Sequence, residues 1–250
     1  MLETPIQRHW LDAFVDLFTL CKAHADERVL IFAESHSRPV NVMLAELALR
    51  QMNVPFEVIR TDSKPHSSRP IIRSTGASNA LAGEDAAIAH LGAADLVIDL
   101  SVEGLMHARQ TPQILAAGTR IMTISNEHPD ILARLSPDPV MREVVTDAIK
   151  KCRAASNMHV TSAVGTDLRV NMANTVTVGV WGWTDRAGTL AHWPGGLVVS
   201  FPNAASTNGQ LVFKPGDINL TFKRYYESEV ICHIENDFIT RIEGAGTDAR

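Results

Sequence analysis

Residues 94–101 read ADLVIDLS. Between Asp95 and Asp99 the run is Leu96, Val97, Ile98, with no polar residue alternating, as in a strand buried on both faces. Working outward, EDAAIAHLG (84–92) is helical in composition, TPQILAAG (111–118) is a second helix, and TRIMTIS (119–125) a second apolar strand. Upstream, WLDAFVDLFTLCKAHA (10–25) carries Trp10, Phe14, Leu17, Phe18 and Cys21 at the spacing of one buried helical stripe. RVLIFAE (28–34) and FEVIRT (56–61) read as strands on either side of a helical VNVMLAELALRQMN (40–53). The stretch from Asp62 to Ser78, broken by Pro65 and Pro70, reads as a loop, and two helical segments fall between Pro129 and Ala155. Apolar strands alternating with amphipathic helices predict an α/β domain over residues 1–155: a Rossmann-like parallel sheet with helices on both faces.

From residue 156 to 250 the texture changes to short β-branched runs separated by Gly, Pro, Asn and Asp. MHVTSA, LRVNM, TVTVGVWGW, GLVVSF, GQLVFK, INLTFK, EVICHIE and FITRIEG are the candidate strands of a second, β-rich domain. It ends at EGAGTDAR without a closing element, and so reads as C-terminally truncated.

The bulk composition narrows the function. With 250 residues, 45% apolar and 20% charged, the chain can bury a sizeable core. A formal charge of -5 with scattered Lys and Arg offers no field for nucleic acid. No apolar run reaches the roughly 20 residues of a membrane span, and the N-terminus lacks a basic segment followed by an apolar one, which places the protein in the cytoplasm. Cys21, Cys152 and Cys232 have no paired spacing and read as reduced structural thiols.

Several residues can carry chemistry. The first strand-to-helix turn, AESHSRP, has no glycine with which to approach a pyrophosphate, so a dinucleotide is not expected. His36 in that turn reads more simply as a polar loop residue. In SVEGLMHARQ, Glu103 and His107 follow a core strand, where open α/β sheets place ligands and where an imidazole can act as general base. His192 lies in LAHWPGG, with Trp181, Trp183 and Trp193 available as walls of a flat apolar pocket or as ordinary core residues. Asp167, in SAVGTDLR, closes an Asx-type turn or aims an acid into a cleft. In CHIEND, His233 and Glu235 sit two apart on a strand and share a face, as two ligands of a non-haem iron site must, although outward polar pairs on strands are routine.

The stretches ADLVIDL (94–100), HARQTPQILAAGTRI (107–121), HVTSAVGTDL (159–168), AHWPGGLVVSFPN (191–203), GQLVFKPGDI (209–218) and ENDFITRIEGAG (235–246) together resemble the 2,5-dihydroxypyridine 5,6-dioxygenases. These are non-haem iron enzymes of nicotinate and nicotine breakdown, in a larger group that includes metallo-aminopeptidases of the aminopeptidase T type. The resemblance runs in order from about Val29 to the end of the chain. It implies a small aromatic N-heterocycle and O2 as reactants, Fe(II) as cofactor, a homo-oligomer, and ring cleavage to N-formylmaleamate. It makes His107 the base toward the substrate hydroxyl and His192 a pocket residue; Glu103, Trp193 and Asp167 are set on the substrate side by their places in the sequence. Where the family carries a glutamate before an aromatic-glycine-aromatic step, this sequence has Val180 before WGW. The family holds iron with two histidines and an aspartate, and CHIE aligns with a strand that carries no ligand there. The expected ligands therefore lie past Arg250, with no metal ligand within the 250 residues. Two rivals stand beside this expectation. One is a two-metal aminopeptidase, with ligands also downstream; the other is an inactive fragment or binding protein with open strand edges and poor solubility.

Overall fold

A computed structural model describes residues 5–64, 78–219 and 224–249. Most of the loop expected over residues 62–78 and the end of INLTFK lie outside the described residues. The first half alternates as its hydropathy predicts: α1 (Arg8–Leu20), β1 (Val29–Glu34), α2 (Pro39–Gln51), β2 (Phe56–Thr61), α3 (Asp85–Gly92), β3 (Leu96–Asp99), α4 (Thr111–Ala116), β4 (Arg120–Ile124), α5 (Pro129–Arg134) and α6 (Met141–Ala154). The strands that follow are β5 (Asn157–Thr161), β6 (Asp167–Asn171), β7 (Val176–Val180), β8 (Leu190–Trp193), β9 (Leu197–Phe201), β10 (Thr207–Phe213), β11 (Ile218–Asn219), β12 (Arg224–Tyr225), β13 (Val230–Glu235) and β14 (Phe238–Gly244).

The first sheet has the order β2-β1-β3-β4-β8, and every pairing in it is parallel. Successive strand side chains point to opposite faces, so each strand feeds two cores. Val29, Ile31 and Ala33 of β1, with Leu96 and Ile98 of β3, pack into one cluster with Phe14, Leu17 and Leu44 of α1 and α2. Leu30, Phe32 and Val97 pack on the other side with Ile88 and Leu91 of α3 and Ile114 of α4. Helix α2 stops at a left-handed Asn53 (φ 57°), beyond which the Val54 N–H reaches back 2.9 Å to the Leu49 carbonyl. Among the described residues no helix is long and apolar enough to cross a membrane.

The second sheet is antiparallel, in the order β14-β13-β10-β6-β5. Its outer strands β5 and β14 are exposed along their whole length. β7 pairs with β9, and β11 with β12.

The chain divides into two compact units, Met1–Glu143 with Val180–Leu197, and Val144–Gly179 with Val198–Arg250. This differs in two ways from a single handover at residue 155. Most of α6 belongs with the second unit, because Gly179 of β7 leaves room for it: a Cβ there would lie 2.5 Å from Val145 Cγ1 and 2.8 Å from Ile149 Cδ1. The segment around LAHW returns to the first unit as β8, pairing Met122 with Ala191 and Thr123 with His192.

Candidate active site

In an open parallel sheet the ligand crevice lies beyond the carboxyl ends of the strands, where the strand order switches, here between β1 and β3. Both strands end on buried carboxylates, Glu34 and Asp99. Asp99 is fully buried and accepts four hydrogen bonds. Its Oδ1 takes the Ser101 N–H at 3.0 Å and the Ser101 hydroxyl at 2.6 Å; its Oδ2 takes the Leu105 N–H at 2.7 Å and the Thr123 hydroxyl at 2.8 Å. Burial pushes the Asp99 carboxyl above the usual range, and these donors pull against it. Glu34 Oε2 accepts the Val102 N–H at 2.6 Å; burial raises this carboxyl, and the neighbouring Asp99 charge adds to the rise. Ser37 donates to the Leu100 carbonyl at 2.7 Å. The loop after β3 is thus gripped at Leu100, Ser101, Val102 and Leu105.

That loop carries Glu103 and His107. Glu103 is half-buried and, with Glu34, His36, Ser63 and Lys64, lines a cavity of about 40 Å³ at the switch point. This holds water-sized guests, well short of the roughly 300 Å³ at which ligand pockets begin. His107 is exposed and does not line that cavity.

His192 stands at the carboxyl end of β8. Its Nδ1 lies 2.9 Å from the Pro194 carbonyl, which can only accept, so Nδ1 carries the proton and the neutral ring keeps its lone pair on Nε2. The turn behind it depends on glycine. A Cβ on Gly195 would sit 2.2 Å from the Gly182 nitrogen, and this close approach lets Gly196 donate to the Val180 carbonyl at 2.8 Å. Trp183 and Trp193 are buried in the core cluster and Trp181 packs against it, so the core reading describes these three rings better than the pocket-wall one. Trp193 meets the Phe14 ring edge-on at 5.2 Å and donates its indole N–H to the Leu135 carbonyl at 2.7 Å. The Arg142 guanidinium lies 5.0 Å from the centre of the Trp181 ring and 5.2 Å from that of Trp183, and pairs with Asp185 at 3.0 Å.

The remaining candidate, Asp167, is in the second unit, exposed on β6, where its carboxylate meets His159 Nε2 at 2.7 Å. Register places Asp167, Gln210 and His233 side by side across β6, β10 and β13. They border an open groove of about 540 Å³ that also includes Arg169 and Glu235.

His233 and Glu235 do share this face, but His233 Nε2 is engaged by the Glu243 carboxylate at 2.5 Å and by Arg241 Nη2 at 3.0 Å. A guanidinium at Nε2 opposes a cation at that nitrogen. Among the described residues no group of three His, Cys, Asp or Glu can hold a metal ion, so Fe(II) does not fit them. In protein shown by metal analysis to hold Fe(II), replacing both His233 and Glu235 by alanine is expected to leave the bound iron unchanged. Loss of one equivalent would restore them as ligands.

Glu34, Asp99 and Thr123 are not among the residues that motif and spacing single out. The available signal was an acidic residue closing each of two otherwise apolar strands, VLIFAE and LVID.

The family described as 2,5-dihydroxypyridine 5,6-dioxygenase matches residues 9–250. The 2,5-dihydroxypyridine 5,6-dioxygenase of Pseudomonas putida KT2440 is 31% identical over 233 residues, covering 92% of this chain and 66% of that enzyme. The chain therefore spans just under two thirds of that relative's length. A solved structure of the Pseudomonas putida KT2440 dioxygenase superposes with a TM-score of 0.87 at 30% identity, covering 98% of this chain and 70% of that one. Wild-type AmpT from Thermus thermophilus shares the fold at a TM-score of 0.51 and 10% identity, covering 95% and 72%.

Proposed function

Because the chain belongs to the 2,5-dihydroxypyridine 5,6-dioxygenase family, we propose that it serves a cytoplasmic ring-opening dioxygenase that converts a dihydroxypyridine and O2 to an N-formylmaleamate. The observation that supports this most is the match over residues 9–250 to a single activity, together with a closely superposing relative. In this reading the chain furnishes the organic side of the reaction. His107, on the loop gripped by the two buried carboxylates, takes the proton of a ring hydroxyl, and the resulting anion is the electron-rich form that reacts with oxygen. His192, whose Nε2 is free to accept, receives a hydrogen bond from the substrate. Glu103 contributes at the switch point. Trp193 acts from behind, as the post on which the His192 turn rests. Asp167, in the second unit, is assigned to the substrate side from its place at a strand-end turn.

Fe(II) is the metal the family resemblance implies, and that resemblance, in which CHIE aligns with a strand that carries no ligand, is the ground for assigning its ligands elsewhere; among the described residues no group of three His, Cys, Asp or Glu would fit it. The test is direct. Protein that carries the metal-binding segment, shown by metal analysis to hold ferrous ion and kept under controlled oxygen, is expected to consume 2,5-dihydroxypyridine and O2 one for one, read by loss of ring absorbance and by an oxygen electrode. Cleavage of aminoacyl peptides without ring loss would instead place the protein with the peptidases that share its fold.

A further inference from the structure

We propose that Asp99 is a positioning residue that sets the two histidine-bearing elements against each other, with Oδ2 as their common anchor. One oxygen accepts both the Leu105 N–H at 2.7 Å, in the loop leading to His107, and the Thr123 hydroxyl at 2.8 Å, on β4. Thr123 is the register partner of Asp99 on one side and of His192 on the other, so Asp99, Thr123 and His192 form one rung across β3, β4 and β8. Aligned residues of parallel strands project to the same face, and the rung lies at the carboxyl ends of these strands. Gly104 fits this arrangement: with φ +74°, a Cβ there would lie 2.9 Å from Thr123 Cγ2 and 3.9 Å from Asp99 Oδ2. The loop therefore passes directly over the anchor, and a side chain at 104 would lift it away.

All four donors point at the carboxylate, and two of them are backbone N–H groups that cannot reverse. Asparagine at 99 fails whichever way its amide turns, because the NH2 must face the N–H of either Ser101 or Leu105. Burial without hydrogen bonding is costly for a carboxylate, and the retention of Asp99 at a fully buried position is accounted for by these four bonds.

The proposal rests on His107 and His192 acting on the substrate, and its test separates the two ideas. Asp99→Asn and Thr123→Val, the latter keeping the shape that Gly104 contacts, are compared with wild type by amide hydrogen exchange and by steady-state kinetics. Exchange at Ser101 and Leu105 is expected to speed up at least about tenfold in Asp99→Asn, while the amides of α1 stay protected. The kcat is expected to fall about 100-fold in Asp99→Asn and less in Thr123→Val, with KM changed far less, because a displacement near 1 Å costs about that much in rate. Faster loop exchange with an unchanged kcat would overturn the positioning role, and so would unchanged exchange. If wild type shown by metal analysis to hold Fe(II) fails to turn over the dihydroxypyridine, the functional reading falls. The anchor is then judged on exchange and on the imidazole proton shifts of His107 and His192, which should both move in Asp99→Asn and, should that variant not fold, in Thr123→Val.

Discussion

The His107→Ala protein is expected to open the dihydroxypyridine ring roughly 100- to 10,000-fold more slowly than wild type, the range typical for removal of a general base. The side chain is exposed and makes no hydrogen bond among the described residues, so its removal should leave unfolding free energy within about 0.5 kcal/mol of wild type. Iron content should also be unchanged, because His107 is not placed among the ligands. The loss is expected in kcat, since a base acts on the reacting proton more than on the bound ring. Adding imidazole is a useful companion measurement, because a small base can enter the space left behind. Retention of wild-type turnover by His107→Ala would move the base elsewhere, with His192 Nε2 the next candidate.

Trp193→Ala is expected to destabilise the protein by about 3–5 kcal/mol, as large-to-small changes of a core aromatic do. The indole is fully buried against Phe14 and its N–H satisfies the Leu135 carbonyl. Truncation therefore leaves a void and removes the donor to the Leu135 carbonyl, which belongs to an exposed residue that water can reach, so the void accounts for the loss. Against a typical total stability of about 5–15 kcal/mol, such a loss lowers the urea midpoint sharply. Trp193→Phe, which keeps the ring contact and drops the donor, should fall between. The outcome also separates a core post from a pocket wall. A wall residue would weaken substrate binding while leaving the midpoint in place, and that result would return Trp193 to the substrate side.

Much of the first unit follows from local pattern. LVID, VLIFAE and RIMTI lack polar alternation, the helices between them carry apolar stripes, and a parallel sheet covered on both faces is the arrangement that buries all of them. LAHW was not legible in this way. Its four residues carry too little periodicity to mark a strand, and only pairing with β4, far back in the chain, makes it one. The same holds for α6, whose stripe announces a helix while a single glycine on β7 decides where it packs.

At the candidate site the division is sharper. Sequence alone determined that histidines follow strand ends, that His233 and Glu235 share a face, and that the chain carries an α/β half and a β-rich half, because these depend on the spacing of residues along one strand or helix. Only the tertiary structure decided what stands opposite each of them. Arg241 and Glu243 engage His233 at Nε2, Trp193 faces the core, and Asp99 ties two elements that are distant in sequence to one oxygen atom. Periodicity fixes which way a side chain points, whereas its partner comes from strands and loops brought together by non-local pairing, and no local signal records that.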